Sequence, residues 1–141
     1  MTINEIQDEI IDEFSYFGDW MEKYEYIIDL GKDLPLIDDV YKTDDYLIRG
    51  CQSKVWLHAG TDPSGKVAFT ADSDTVITRG IIALLIRVLS GQSPQEVANA
   101  DLFFIDGIGL KEHLSPTRSN GLLSMVKQMK LYGLALGTKA S

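Results

Sequence analysis

The sequence contains a single cysteine among its 141 residues. One cysteine cannot form a disulfide within the chain, and it cannot supply the several thiolates that bind a zinc ion or an iron–sulfur cluster. A disulfide-stabilised extracellular protein is therefore excluded, and a reducing, cytoplasmic compartment fits this composition best. A role for one reactive thiol remains open.

Long apolar runs are also missing. The longest stretch, residues 76–89, has 14 positions, whereas a membrane-spanning helix needs about 20. The first residues are polar and acidic, so we expect neither a signal peptide nor an arginine-rich transit peptide. No membrane association is expected.

Basic residues are scarce. The chain has 13 lysines and arginines against 21 acidic residues, a net charge of −8. The imbalance lies in residues 1–50, where 14 acidic and 4 basic side chains give −10, while residues 51–141 carry 7 acidic and 9 basic side chains. Phosphate binding needs clustered lysine and arginine, so nucleic acid is not an expected partner. The acidic half is interpreted as a solvated helical surface, with a docking face for a basic partner as the alternative.

Length and composition indicate one folded unit. Hydrophobic residues make up 45% and charged residues 24% of the chain, near the globular averages of about 45–50% and 25%. A chain of this length buries enough surface to form its own core. We predict a single domain covering residues 1–141.

The N-terminal third predicts two helices. Apolar residues recur every three or four positions over residues 3–28, which places them on one helical face. Gly18 interrupts this pattern, and Asp19 with Glu22 forms a capping pair for a second helix. The predicted helices are residues 2–15 and 19–31.

The centre of the chain predicts a β-hairpin. Residues 54–59 and 67–71 are rich in strand-forming residues, and the segment 60–65 between them contains turn dipeptides. With a short extended piece at residues 47–50, the pattern predicts a small antiparallel sheet of about three strands.

Three more helices follow the hairpin. Residues 76–89 are apolar nearly all round, which indicates a central buried helix with Asp74 as its N-cap. A capping box at residues 93–96 opens a short helix, and Ser115 with Pro116 opens the last one. The predicted fold class is α+β, a small antiparallel sheet packed against helices.

Cys51 is the residue best suited to chemistry. Gly50 allows a left-handed turn just before the thiol, so a loop could present the sulfur or tuck it in. Arg49 and Lys54 are nearby cations, and we expect them to lower the pKa of the thiol. An inert buried cysteine is the alternative, because free cysteine is among the most buried residue types.

A hydrolase with Cys51 as nucleophile would need a histidine base. His58 and His113 are the two candidates. Seven residues of strand would carry His58 about 20 Å from the thiol, and His113 is interpreted as a packed or capping residue. The hydrolase therefore remains an alternative without a local motif.

Arg118 falls in the first turn of the last predicted helix. The helix dipole disfavours a cation there, which indicates an anionic partner. That partner is either a surface carboxylate or a reactive anion such as a thiolate or persulfide.

Four segments of the chain carry a further pattern. Residues 50–56 read GCQSKVW and residues 113–122 read HLSPTRSNGL. The other two segments are residues 20–31 and 72–83. Together the four segments resemble the SufE/CsdE family of sulfur acceptors, whose signatures are G-C-Q-S-x-V-W and H-L-S/T-P-S/T-R-x-x-G-L.

This resemblance implies a fold like that of the IscU-type scaffold proteins. It also implies a carrier that takes sulfur from a cysteine desulfurase of the SufS/CsdA type and passes it to an iron–sulfur scaffold of the SufBCD type. Pyridoxal phosphate would reside on the desulfurase, so the chain itself needs no cofactor or metal. The carrier would stimulate the desulfurase, show no independent turnover, and could form a homodimer.

Particular residues are implied as well. Cys51 matches the cysteine that carries the persulfide, and Gly50 and Gln52 flank it within the signature. Asp74 and Arg118 match positions near that loop or on the partner surface. A non-catalytic adaptor that docks through its acidic face is the remaining alternative, and SufE and CsdE subtypes are not distinguished.

Overall fold

The computed structural model describes residues 1–139. Its helices are α1 (Ile3–Phe14), α2 (Trp20–Leu30), α3 (Val76–Leu89), α4 (Pro94–Ala98), α5 (Phe104–Gly107), α6 (Leu110–His113) and α7 (Pro116–Lys139). The strands are β1 (Val55–Thr61) and β2 (Val67–Ser73), and three short 3-10 turns lie between α2 and β1. The predicted α+β class is confirmed. No helix within residues 1–139 is both long and apolar enough to cross a membrane.

Both N-terminal helices begin at capped residues. The Thr2 hydroxyl accepts the N–H of Glu5 at 3.1 Å, and the Glu5 carboxylate accepts the N–H of Thr2 at 3.0 Å. The Asp19 carboxylate accepts the N–H of Glu22 at 2.9 Å. These bonds satisfy amides that have no partner within the helix. The two predicted helices are confirmed to within one residue at each end.

The sheet has two antiparallel strands rather than about three, with Val55 opposite Ser73 and Thr61 opposite Val67. The third predicted piece contributes one isolated bridge, between Leu47 and Trp56. The pairing ends there because the chain turns at Gly50, whose φ of 93° lies outside strand geometry.

Helix α3 is the central element of the core. Ten of its residues are buried, as its apolar sequence predicted. Helix α2 crosses it at Gly80, where a Cβ atom would lie 2.0 Å from the carbonyl oxygen of Ile27. A Cβ on Gly31 would likewise lie 2.8 Å from the Gly80 nitrogen. The two helices therefore touch backbone to backbone.

The predicted cap of α3 is wrong. Thr75 is its N-cap residue, and the Asp74 carboxylate accepts the N–H of Lys54 instead. Asp74 makes a tertiary contact instead of a cap, because the segment that carries Cys51 packs beside the start of α3. The starts of α4 and α7 agree with the prediction, since Ser93 accepts the N–H of Glu96 and Ser115 accepts that of Arg118.

The acidic helix α1 is joined to α3 by one arginine. Arg87 bonds to the carboxylates of Glu13 and Glu9, and the Tyr26 hydroxyl also donates to Glu13. The hydrogen bond from Arg87 is the main reason that the pKa of Glu13 is lowered. Part of the acidic surface therefore anchors α1.

Candidate functional site

Cys51 lies at the tip of a short loop, residues 49–54, which we call the Cys51 loop. On the entry side, the N–H of Ile48 donates to the carbonyl of Val55 at 2.8 Å. This bond closes the base of the loop, so the tip lies at one end of the hairpin.

The exit side of the Cys51 loop is anchored to the junction of β2 and α3. The N–H of Lys54 donates to Asp74 Oδ1 at 3.1 Å, and the N–H of Asp74 donates to the Lys54 carbonyl at 3.2 Å. The Thr75 hydroxyl donates to the Ser53 hydroxyl at 3.3 Å. Asp74 is thus a loop anchor in this structure.

Gly50 shapes the tip. Its φ of 93° is the left-handed conformation that the sequence predicted, and side chains other than glycine rarely adopt it. A Cβ atom there would also lie 2.5 Å from the Ser124 hydroxyl of α7. Both conformation and space favour glycine before the cysteine.

The thiol of Cys51 is half-buried and packs against the core. It donates to the carbonyl of Gly121 in α7, with 3.5 Å between sulfur and oxygen. Burial raises the pKa of the Cys51 thiol, and a carbonyl acceptor also favours the protonated form. The expectation that Arg49 and Lys54 lower this pKa is wrong for this conformation, because both side chains are exposed and water screens their charge.

The raised pKa predicts how Cys51 reacts in the free protein. Only the thiolate is alkylated, so reaction with iodoacetamide should be several-fold slower at neutral pH than that of a small thiol. The rate should keep rising with pH beyond about 8.5, where an ordinary cysteine is half ionised. Second-order rates measured across this range test the prediction. A plateau below that pH would contradict it.

A cavity of about 40 Å³ opens beside the thiol. Its lining comes from the Cys51 loop (Cys51, Gln52, Ser53), from α3 (Thr78) and from the start of α7 (Thr117, Arg118, Gly121, Met125). Within residues 1–139, none of the ion pairs involves Arg118. Arg118 therefore lines the same cavity as Cys51, and its anionic partner stays a prediction.

Further cations surround the Cys51 loop. A groove of about 400 Å³ lies between the segment before the loop and α7, and Arg49 and Lys127 line it. Lys54 borders another surface depression formed by the loop itself. Asp45 and Asp44 line the same two depressions, so with Asp74 and Arg118 counted the loop has four neighbouring cations and three carboxylates.

The two histidines lie elsewhere. His58 stacks on Tyr41, with ring centroids 3.9 Å apart, and His113 stacks on Trp20 at 4.4 Å. Neither residue lines the cavity beside Cys51. The structure therefore gives the thiol no histidine base in this conformation.

Gly121 is the site residue that the sequence analysis missed. It supplies the carbonyl that accepts the thiol, and it forms the helix wall of the cavity. A signal was present, since Arg118, Gly121 and Met125 follow one another at helical spacings of three and four. That spacing places all three on one face of α7.

Comparison with known sequences identifies a family. Residues 8–132 match the family model described as "SufE: Fe-S metabolism associated domain". A SufE-like protein of Rhizobium meliloti is 41% identical over 127 residues, which cover 87% of this chain and 91% of that protein. One of Rhizobium etli is 43% identical over 127 residues, covering 87% and 86%.

A plant protein and a solved structure are also similar to this chain. SufE-like protein 1 of Arabidopsis thaliana, named chloroplastic/mitochondrial, is 39% identical over 131 residues, covering 93% of this chain and 35% of that protein. The solution structure of a hypothetical protein from Thermus thermophilus superposes with a TM-score of 0.78 at 19% identity, covering 94% of this chain and 96% of that one. This last similarity concerns the fold alone. The Cys51 loop and its cavity lie inside the region matched by the family model.

Proposed function

The chain belongs to the SufE family, and from that premise we propose that it is a sulfur carrier, with Cys51 as the acceptor. The observation that carries the proposal is the position of the one thiol, at the tip of a loop with a closed base, beside a cavity lined by Arg118. The family description, Fe-S metabolism, supports the same role. The sulfur would come from a pyridoxal-phosphate-dependent cysteine desulfurase and go to an iron–sulfur scaffold.

The transfer step is a thiol exchange. The Cys51 thiolate attacks the terminal sulfur of the donor persulfide, R–S–SH. A sulfur–sulfur bond forms on Cys51, the bond in the donor breaks, and the donor leaves as a thiolate. The proton stays on the transferred sulfur, and no electrons are gained or lost overall. An acceptor thiolate on the scaffold then removes the sulfur from Cys51 by the same exchange.

This chemistry requires two positions of the Cys51 loop. In the position seen here the thiol is protonated and bound to the Gly121 carbonyl, which protects it but also makes it a poor nucleophile. On docking, the tip would move outward, away from that carbonyl. Loss of burial and of the carbonyl acceptor would then bring the pKa of the thiol back toward its ordinary value and favour the thiolate.

The bonds of the loop confine this motion to its tip. The thiol is a weak hydrogen-bond donor, so its contact with Gly121 is easily broken. The base of the loop is held in place by main-chain bonds and by the Asp74 carboxylate. Gly50 lies between this fixed base and Cys51, and it supplies the conformational freedom that the motion of the tip needs.

The charge around the site suits an acidic partner surface. Four cations, Arg49, Lys54, Arg118 and Lys127, lie around the loop beside three carboxylates, Asp44, Asp45 and Asp74, whereas the chain as a whole carries −8. Complementary charge increases the rate of encounter and fixes orientation. We propose that the donor presents acidic residues around its persulfide.

Mass spectrometry of the intact protein tests the proposal. After incubation with free cysteine and a cysteine desulfurase, we expect a gain of one sulfur atom that dithiothreitol removes. A sample without cysteine is the control and should show no gain. If the mass stays unchanged while the two proteins bind each other, the chain is an adaptor and the proposal is wrong.

A further inference from the structure

Helix α3 begins without the side-chain cap that its sequence offers. Thr75 is the N-cap residue, and its φ of −125° and ψ of 142° are the extended conformation usual at that position. Threonine is a favoured N-cap residue, and the Thr2 hydroxyl accepts the Glu5 N–H of α1 in this way. In the described part of the chain, however, the Thr75 side chain makes no capping bond to α3. A suitable residue in a suitable conformation therefore has its hydroxyl engaged elsewhere.

The Thr75 hydroxyl instead joins the Cys51 loop to α3. It lies 3.3 Å from the Ser53 hydroxyl and 2.7 Å from the Thr78 hydroxyl. A hydroxyl carries one hydrogen, so Thr75 donates to one of these neighbours and accepts from the other. Thr78 is buried in α3, whereas Ser53 belongs to the loop. The side chain that could cap the helix is thus used to hold the loop.

Ser53 lies on the part of the loop that moves. The next residue, Lys54, is fixed to Asp74 by two hydrogen bonds of its main chain. Cys51 lies two positions before Ser53, on the other side from this anchor. The contact between Ser53 and Thr75 joins two side chains, so outward movement of the tip breaks it while the base stays in place.

The released hydroxyl has a second place to bind. Thr78 occupies the third position of α3, and an N-cap hydroxyl accepts the N–H of the second or third helical residue. The Thr75 backbone already has N-cap geometry, so rotation about its Cα–Cβ bond brings the hydroxyl to the Thr78 N–H. The bond lost at Ser53 is then replaced by a cap on α3.

We propose that Thr75 is a positioning residue that balances the two positions of the Cys51 loop. Its hydroxyl binds Ser53 when the loop is retracted and caps α3 when the tip moves outward. This inference rests on the two loop positions of the proposed function and names the group that couples them. Because one hydrogen bond is exchanged for another, the two positions stay close in free energy. A partner then needs only a small difference in affinity to shift the loop outward.

Alkylation of Cys51 by iodoacetamide reports the loop position without a desulfurase. Only the thiolate reacts, and burial raises the pKa of the thiol in the retracted position. Ser53→Ala removes one bond of the retracted loop and leaves the Thr75 hydroxyl able to cap α3. We expect this variant to be alkylated roughly two- to tenfold faster than the unmodified protein, the range for the loss of one hydrogen bond.

Ser124→Ala is the matched control. Ser124 also places a hydroxyl beside the loop, since a Cβ on Gly50 would lie 2.5 Å from it. That hydroxyl donates to the Asn120 carbonyl of its own helix at 3.1 Å. Its removal should therefore change the alkylation rate of Cys51 less than about twofold.

Thr75→Val tests the coupling between the loop and the helix. Valine keeps the branched shape of threonine without the hydroxyl, so neither the loop contact nor the cap can form. Adding Ser53→Ala to Thr75→Val should then change the alkylation rate less than about twofold, because Ser53 acts through a hydroxyl that is already missing. If the separate effects of the two substitutions multiply instead, Ser53 does not act through Thr75 and the inference is wrong.

Hydrogen exchange distinguishes this exchange of bonds from a general loosening of the loop. In Ser53→Ala the Gln52 amide should exchange faster, whereas the Thr78 amide should exchange more slowly, because Thr75 now caps it. A Thr78 amide that exchanges at the same rate or faster would overturn the inference. If the coupling is found but the protein gains no sulfur from a desulfurase, the proposed function fails and this inference stands.

Discussion

Replacing Cys51 by serine is expected to abolish sulfur acceptance and stimulation of the desulfurase while the fold is retained. A hydroxyl group does not attack a persulfide under these conditions, and no other cysteine is present to replace the thiol. The fold should tolerate the change, because serine is similar in size and the thiol makes one weak hydrogen bond, to Gly121. Desulfurase turnover with and without the variant measures the effect.

The matched control is Ser53→Ala, in the same loop. It removes the hydroxyl that accepts a bond from Thr75 but leaves the thiol in place, so sulfur acceptance should persist. Circular dichroism and urea unfolding of both variants show whether they fold as the unmodified protein does. Full stimulation of the desulfurase by Cys51→Ser would show that the thiol is not the acceptor.

Replacing Gly80 by alanine is expected to have the largest effect on stability. The new Cβ would lie 2.0 Å from the Ile27 carbonyl oxygen and 2.6 Å from its carbon. Backbone atoms cannot turn aside as a flexible side chain can, so α2 and α3 must separate. We expect the free energy of unfolding to fall by roughly 2–3 kcal/mol, the upper part of the range of about 1–3 kcal/mol for overpacked cores, despite the better helix propensity of alanine. The urea midpoint measures the loss.

Gly18→Ala is the control for this substitution. Gly18 lies between α1 and α2, is exposed, and a Cβ on it would meet nothing within 4 Å. Its urea midpoint should stay close to that of the unmodified protein. If both variants unfold at the same urea concentration, the close approach of α2 and α3 does not contribute to stability as described.

The sequence predicted those features that depend on local patterns. The apolar repeat and the capping residue Asp19 located α1 and α2, and Ser93 and Ser115 marked the starts of α4 and α7. Helix caps and helical periodicity involve residues a few positions apart, so they can be detected without the fold.

The errors arose where distant segments meet. Asp74 was predicted to cap α3, but its carboxylate bonds to Lys54, twenty positions earlier. The pKa of Cys51 was expected to be lowered by its charged neighbours in sequence, yet burial against α7 raises it. Gly121 was missed because its contact with Cys51 joins positions seventy residues apart. Such contacts follow from packing, which the local pattern does not contain.

The closed base of the Cys51 loop sets how far the sulfur can travel. The loop has residues 49–54, and its two ends are held at the hairpin by the bonds of Ile48 and Asp74. With about three residues on each side of the tip, at roughly 3.4 Å per residue, the reach is about 10 Å. If the donor persulfide lies deeper than this below the donor surface, Cys51 can reach it only if the hairpin is distorted or the donor changes conformation.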